Sequence, residues 1–193
     1  MRNSRADVVE RALDVLDRYG LADLTMRRLA SELGVQPSAL YHHFANKQAL
    51  LAAVADEVLR RGRRGSRPDP WDQQLSAVCT ELRDAMLAYR DGAELVATVR
   101  AFGIGAATPY DELAAALARG GVDAALVPTA ARTLLHYVLG HAVDEQTHLQ
   151  AGSAGAIDDA PREDSDFAIG LRIVVDGIRA SVRNREAADR DAS

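Results

Sequence analysis

Apolar side chains recur along this chain with helical spacing, and short polar or glycine-containing breaks interrupt them. Met26, Leu29, Ala30 and Leu33 fall at i, i+3, i+4 and i+7 and make one buried stripe, with Arg27, Arg28, Ser31 and Glu32 off it. Thr25 is placed to cap that helix at its N-terminus. Gly34 stands where a C-terminal residue with positive φ is expected, and Val35 turns inward. Pro37 suits the first turn of a second, very short helix, where its missing N–H costs nothing. Leu40 and Phe44 anchor this helix, leaving Gln36, Ser38, Ala39, Tyr41 and His42 outward. Asn46 caps a longer helix from Lys47 to about Arg61, and Val8 to Tyr19, closed by Gly20, forms a helix before the group.

Beyond Trp71 the same period continues. Leu75, Val78, Cys79, Leu82, Met86 and Leu87 mark a helix to about Tyr89, stopped by Arg90-Asp91-Gly92. A shorter helix spans Ala93 to about Phe102. Gly103, Gly105 and Pro109 mark a break before a helix from Tyr110 to Ala118, and Gly120-Gly121 make the next turn. A long helix starts at Pro128 or Thr129 and runs to about Gln150. Ala151 to Pro161, rich in small and polar residues, reads as a loop, and a last helix runs from about Glu163 to Arg185 with a polar tail. No alternating strand pattern competes, so the predicted fold class is all-α.

Two helices joined by a tight turn containing glycine form a helix-turn-helix, and its second helix is the one that enters a DNA major groove. The helix from Pro37 is too small to bury itself and carries polar and aromatic residues that a core would not accept. Charge agrees with this. Residues 1–67 hold 12 Lys and Arg against 8 Asp and Glu, whereas residues 68–193 hold 11 against 20, for a net −5 overall. A basic front and an acidic remainder suit a DNA reader attached to a part that stays off DNA. The stretch Arg60 to Pro70, with five arginines and two prolines, reads as a hinge and secondarily as a phosphate contact. It divides the chain into a DNA-binding domain, residues 1–62, and a second domain, residues 63–193. Hydrophobic content of 48% can fill a core, one cysteine excludes an intrachain disulfide, and no apolar run approaches membrane-spanning length. The polar N-terminus lacks a signal-peptide core, so a cytoplasmic location is expected.

Thr-Met-Arg-Arg-Leu-Ala, Leu-Gly-Val, Ala-Leu-Tyr-His-His-Phe and Asn-Lys-Gln-Ala-Leu-Leu together resemble the DNA-binding domain of the TetR family of bacterial transcriptional regulators. Tyr89 to Ala93, His136 to Gly140, Asp144 to His148 and Phe167 to Ile178 are similar, more loosely, to the C-terminal domain of the family's tetracycline repressor branch. The resemblance implies a repressor whose ligand-binding helical core dimerises through its last long helices. Val96 stands where that branch places a magnesium-binding histidine, and Val78 replaces a polar pocket residue. No tetracycline–magnesium ligand and no cofactor are therefore expected.

Roles follow for individual residues. Thr25, Tyr41, His43 and Lys47 are candidates for phosphate contacts. Arg27, Gln36, Ser38, Ala39 and His42 are candidates for base edges, Arg27 as a bidentate guanine reader and Gln36 for adenine. Pro37 and Ala39 offer apolar contact. Val78, Cys79, Leu82, Met86, Val99, Phe102 and Leu139 are candidate walls of an effector pocket, with Arg100, His136 and Gln146 as polar groups. The effector expected there is a small, largely apolar organic molecule. Phe167, Leu171, Val174, Ile178 and Val182 form an apolar stripe on the last helix, widened by Ile169 and Ile173. Gly170 and Gly177 would admit a second helix closely. A homodimer is expected, because a two-fold operator requires one.

His141, Asp144, Glu145 and His148, at i, i+3, i+4 and i+7, raise an alternative: a metal-responsive site. The commoner reading of such a face is a polar interface. A helical protein-interaction module is the other alternative. No nucleophile–base–acid order, phosphate loop or zinc hydrolase motif occurs, so no enzyme is expected.

Overall fold

The computed structural model describes residues 4–65, 67, 69–153 and 166–191, with side chains of the last helix described to Arg183. Among these residues there are nine helices and no strand: α1 Arg5–Tyr19, α2 Met26–Glu32, α3 Pro37–Tyr41, α4 Lys47–Gly62, α5 Trp71–Leu87, α6 Gly92–Ala101, α7 Thr108–Arg119, α8 Val127–Ser153 and α9 Phe167–Asp191. They form two compact units. The first takes in residues up to 63 together with 84–106, and the second takes in 64–83 together with 107 onwards.

In the first unit, α1 starts three residues earlier than its apolar period requires. Ser4 caps it, and Ser4 and Asp7 bond each other's backbone reciprocally, which satisfies two N–H groups with no intrahelical acceptor. Val8, Ala12, Leu13, Val15 and Leu16 face inward from α1, and Leu50, Val54, Ala55 and Val58 do so from α4. Helix α6 packs on α4 and contributes Leu95, Val96 and Val99, all fully buried.

In the second unit, α7 packs on α8 and α8 on α9. Leu113, Ala116 and Leu117 of α7 and Leu134, Leu135, Val138 and Ala142 of α8 supply the core, closed by Phe167, Leu171 and Val175 of α9. The Trp71 indole lies flat on Gly120, where any side chain would collide with the ring. Arg67 reaches Glu81 at 2.5 Å and Glu112 at 2.6 Å, so this linker arginine is a strut between α5 and α7 and is not available to phosphate.

Three further boundaries differ from the sequence pattern. Pro109 sits within the first turn of α7 rather than in a break, because no N–H is required of it there. Helix α8 extends to Ser153, so the expected loop keeps only residues outside the described set. Helix α9 continues past Arg185 to Asp191, and its expected start at Glu163 lies outside the described residues.

Candidate functional site

The helix-turn-helix is built by local chemistry. The Thr25 hydroxyl oxygen accepts the Arg28 N–H at 3.1 Å and caps α2. At its other end Gly34 has φ 65°, the Gly34 N–H bonds Ser31 O, and the Val35 N–H bonds Ala30 O. This pair of bonds is a Schellman stop, and the left-handed residue it needs is a glycine. The chain then turns directly into α3, whose one buried residue is Leu40, 1% exposed. Phe44 is buried just behind it, with the Arg5 guanidinium over its ring.

Holding α3 by so few apolar atoms leaves its polar row in the open. Thr25, Arg27, Gln36, Ser38, Tyr41 and His42 are exposed, and Pro37, Ala39, His43 and Lys47 are half-buried. Arg27 and Arg28 are neighbours with different fates. Arg28 stacks on Tyr19, 3.6 Å from the ring centre, and bonds Asp23 at 3.3 Å. Arg27 stays exposed on the same helix. Asn46 caps α4 through the Ala49 N–H at 2.8 Å, which leaves Lys47 as the first residue of that helix, beside its positive end.

Side-chain bonds from Asp91, Asp17, Asp56 and Arg100 help tie this unit together. The Asp91 carboxylate accepts the Leu21 N–H at 2.8 Å, in the turn between α1 and α2. The Asp17 carboxylate accepts the Arg90 N–H at 3.3 Å. At the far end of α6, the Asp56 carboxylate accepts the Ala106 N–H at 2.8 Å, and Arg100 donates to the Ala106 carbonyl at 2.6 Å. On α4, hydrogen bonds from Arg60 and then Arg61 pull the Glu57 carboxyl down to about 2, against the opposing effect of partial burial. Arg61 also bonds Glu10 of α1.

The candidate effector residues divide between the units. Met86 and Val99 are buried in the first, and Val78, Cys79, Leu82 and Gln146 in the second, where Leu139 is half-buried. Burial pushes the Cys79 thiol up to about 12. Two of the candidates, one wall residue and one polar group, lie on the surface. Phe102 is 63% exposed, because it ends α6 just before the Gly103 turn, and His136 is exposed on the outer side of α8. Arg100 has its guanidinium on the Ala106 carbonyl.

The histidine–acid face of α8, weighed above as an alternative metal site, has two of its four side chains engaged with other partners. Glu145 is gripped by Arg83 through bonds of 2.5 and 2.9 Å. His141 packs edge-on against Phe167 and lies 3.5 Å from the same Glu145. Asp144 and His148 remain on α8, but no group of three His, Cys, Asp or Glu side chains among the described residues could hold a metal ion.

On α9 the expected dimer stripe turns partly inward. Phe167 and Leu171 are buried in their own chain, and Val174, Ile178 and Val182 are half-buried. Gly170 is taken by Tyr137, whose hydroxyl donates to Phe167 O at 2.7 Å. The outward positions are Ile169 and Ile173, 51% and 67% exposed, and Gly177, with nothing near it. Val143 and Gly140 are exposed on α8. No helix among the described residues is long and apolar enough to cross a membrane.

Comparison with known proteins agrees with this geometry. The family model described as bacterial regulatory proteins, tetR family, matches residues 8–54, and the tetracyclin repressor-like C-terminal domain matches residues 65–163. The tetracycline repressor protein class A from transposon 1721 of Escherichia coli is 35% identical over 206 residues, covering 93% of each chain. BioQ of Mycobacterium smegmatis superposes with a TM-score of 0.83 at 45% identity, over 93% of this chain and 99% of that one. BioQ has also been solved with its natural double-stranded DNA operator, with a TM-score of 0.80 at 45% identity over 91% and 98% of the two chains. A TetR variant from Acinetobacter baumannii AYE in complex with minocycline gives 0.72 at 31% identity, over 93% and 98%. Model, relatives and an exposed row of polar residues on a helix of the expected kind converge: the chain belongs to the tetR family of bacterial regulatory proteins and is a DNA-binding regulator of transcription.

Proposed function

We propose that this regulator is a homodimeric repressor that sits on a palindromic operator and leaves it when a small, largely apolar organic molecule binds. The observation that carries the DNA half is α3. One buried leucine docks it, and Gln36, Ser38, Tyr41 and His42 lie outward beside Arg27. In this reading residues 1–62 read DNA and residues 63–193 receive the effector and the second copy. Thr25, Tyr41, His43 and Lys47 take phosphates, and Arg27, Gln36, Ser38, Ala39 and His42 face bases, with Pro37 in apolar contact. BioQ, solved on its operator, supports this assignment.

For the second copy, the outward apolar positions Ile169 and Ile173, with the open glycines Gly140 and Gly177, are the favoured contact. Val174, Ile178 and Val182 flank it. For the effector, Val78, Cys79, Leu82 and Leu139 are proposed as apolar wall and Gln146 as the polar group in the second unit. The minocycline complex of the Acinetobacter baumannii relative supports ligand reception by such a body. Val78 and Val96 argue against a tetracycline–magnesium chelate.

Selection of bound duplexes from a random pool tests the function. The expected outcome is a palindrome whose half-site centres lie about 34–36 Å apart. A pool that stays random, or a protein that remains a single subunit, would overturn it. Thermal-shift screening tests the effector class: stabilisation by metal ions alone would exclude an apolar organic ligand.

A further inference from the structure

We propose that Asp56 is a positioning residue of the DNA-reading unit: it keeps the end of α6 on α4 by holding Ala106 in a backbone state that Ala106 does not keep unaided. This inference rests on the DNA-reading function proposed above.

Ala106 has φ 57° and is fully buried. A residue with a Cβ is disfavoured in the left-handed region by roughly ten-fold or more. Among the described residues only one other non-glycine shares this state, Asp91, at the start of α6. Aspartate tolerates the conformation, and here its own carboxylate is engaged by the Leu21 N–H. Ala106 has no polar side chain to help it. Its N–H goes to the Asp56 carboxylate at 2.8 Å, a charge-assisted bond, and its carbonyl receives Arg100 at 2.6 Å.

The preceding residue shows how closely the segment is pressed in. A Cβ on Gly105 would stand 3.0 Å from Val99 of α6 and 3.3 Å from Ala52 of α4. A strained residue persists only where its surroundings over-determine it. Here Asp56 of α4 supplies that hold from one side and Arg100 of α6 from the other. Helix α4 is the next helix after α3 and begins at Lys47, so the tie at Asp56 secures to α6 the helix into which the recognition helix leads.

The test uses the full chain with Asp56→Ala, Ala106→Gly and the double substitution. Two quantities are read: amide exchange at Phe102, Gly103 and Ile104, whose N–H groups bond Thr98, Arg100 and Val99, and affinity for the duplex recovered by selection. Asp56→Ala is expected to speed exchange at that turn and weaken DNA binding, each by about ten-fold, with Phe44 exchange unchanged. Ala106→Gly alone stays near wild type. The double variant regains both quantities to within about three-fold, because glycine occupies the left-handed state without help. Asp56→Asn, which keeps shape and an acceptor oxygen, falls between and serves if the alanine variant does not fold. A double variant no better than Asp56→Ala, with losses that follow the melting temperature, would overturn the proposal. A wild-type protein indifferent to duplex sequence would instead overturn the function, and the exchange rescue would still decide this inference.

Discussion

Leu40→Ala isolates what presents the recognition helix. Helix α3 has five residues, too few to persist alone, and Leu40 is its one buried side chain. Its carbonyl also accepts the His43 N–H at 2.9 Å and the Phe44 N–H at 3.0 Å, so it organises the turn that leads to the Asn46 cap. Truncating a fully buried leucine costs about 2–5 kcal/mol. Every 1.4 kcal/mol or so is ten-fold, so the open population of α3 should rise by about 30-fold at the low end and several thousand-fold at the high end. Amide exchange at His43 and Phe44 measures that opening, and retention of the selected duplex measures its consequence. Tyr41→Ala is the contrast. Tyr41 is 53% exposed, so its loss should leave exchange alone and weaken binding to all sequences. Wild-type exchange in Leu40→Ala, or full DNA affinity, would refute the idea that this leucine docks the helix.

Arg27→Ala should relax specificity at one base pair at a cost of about 1–3 kcal/mol, whereas Lys47→Ala should weaken all duplexes alike and flatten the salt dependence by about one unit of slope. Competition binding over single-base operator variants at several salt concentrations separates the two. Glu57 is held at about 2 when folded, against an ordinary 4.5. Its contribution is therefore complete above about pH 4.5 and lost as pH falls through 2. Solvent screening limits it to about 1 kcal/mol, so urea midpoints of wild type and Glu57→Gln should converge as pH drops from 7 to 3. Cys79, fully buried with its thiol near 12, should resist a thiol reagent at pH 8 and react only on unfolding. Fast labelling of the native protein would contradict that burial.

What the sequence made legible was local. Thr25, Gly34 and Asn46 act through partners within five residues, and the structure places all three as the spacing predicts. The dimer stripe was less legible because α9 is apolar around much of its circumference. Period alone does not say whether Leu171 or Ile173 faces the chain's own core, and it is Leu171 that does. The exposure of Phe102 is illegible for a related reason: it ends its helix, where the backbone turns away from the face it continues. Pro109 looks like a breaker in sequence, yet a proline in a first turn breaks nothing. The tie from Asp56 to Ala106 spans fifty residues and joins an ordinary surface acid to an ordinary alanine. Nothing in an alanine signals a left-handed backbone, so only the folded structure reveals it.

The placement of Trp71 has a practical consequence. The chain has one tryptophan, and its indole rests on Gly120 inside the second unit. Selective indole fluorescence is thus an intrinsic optical probe of the second unit, the one proposed to receive the effector, free of any contribution from the residues proposed to read DNA. A titration that shifts the emission reports an event felt at the α5–α7 contact, while a fluorophore on the oligonucleotide follows release independently. Ligand occupancy and operator escape can then be timed against each other in one cuvette without labelling the protein.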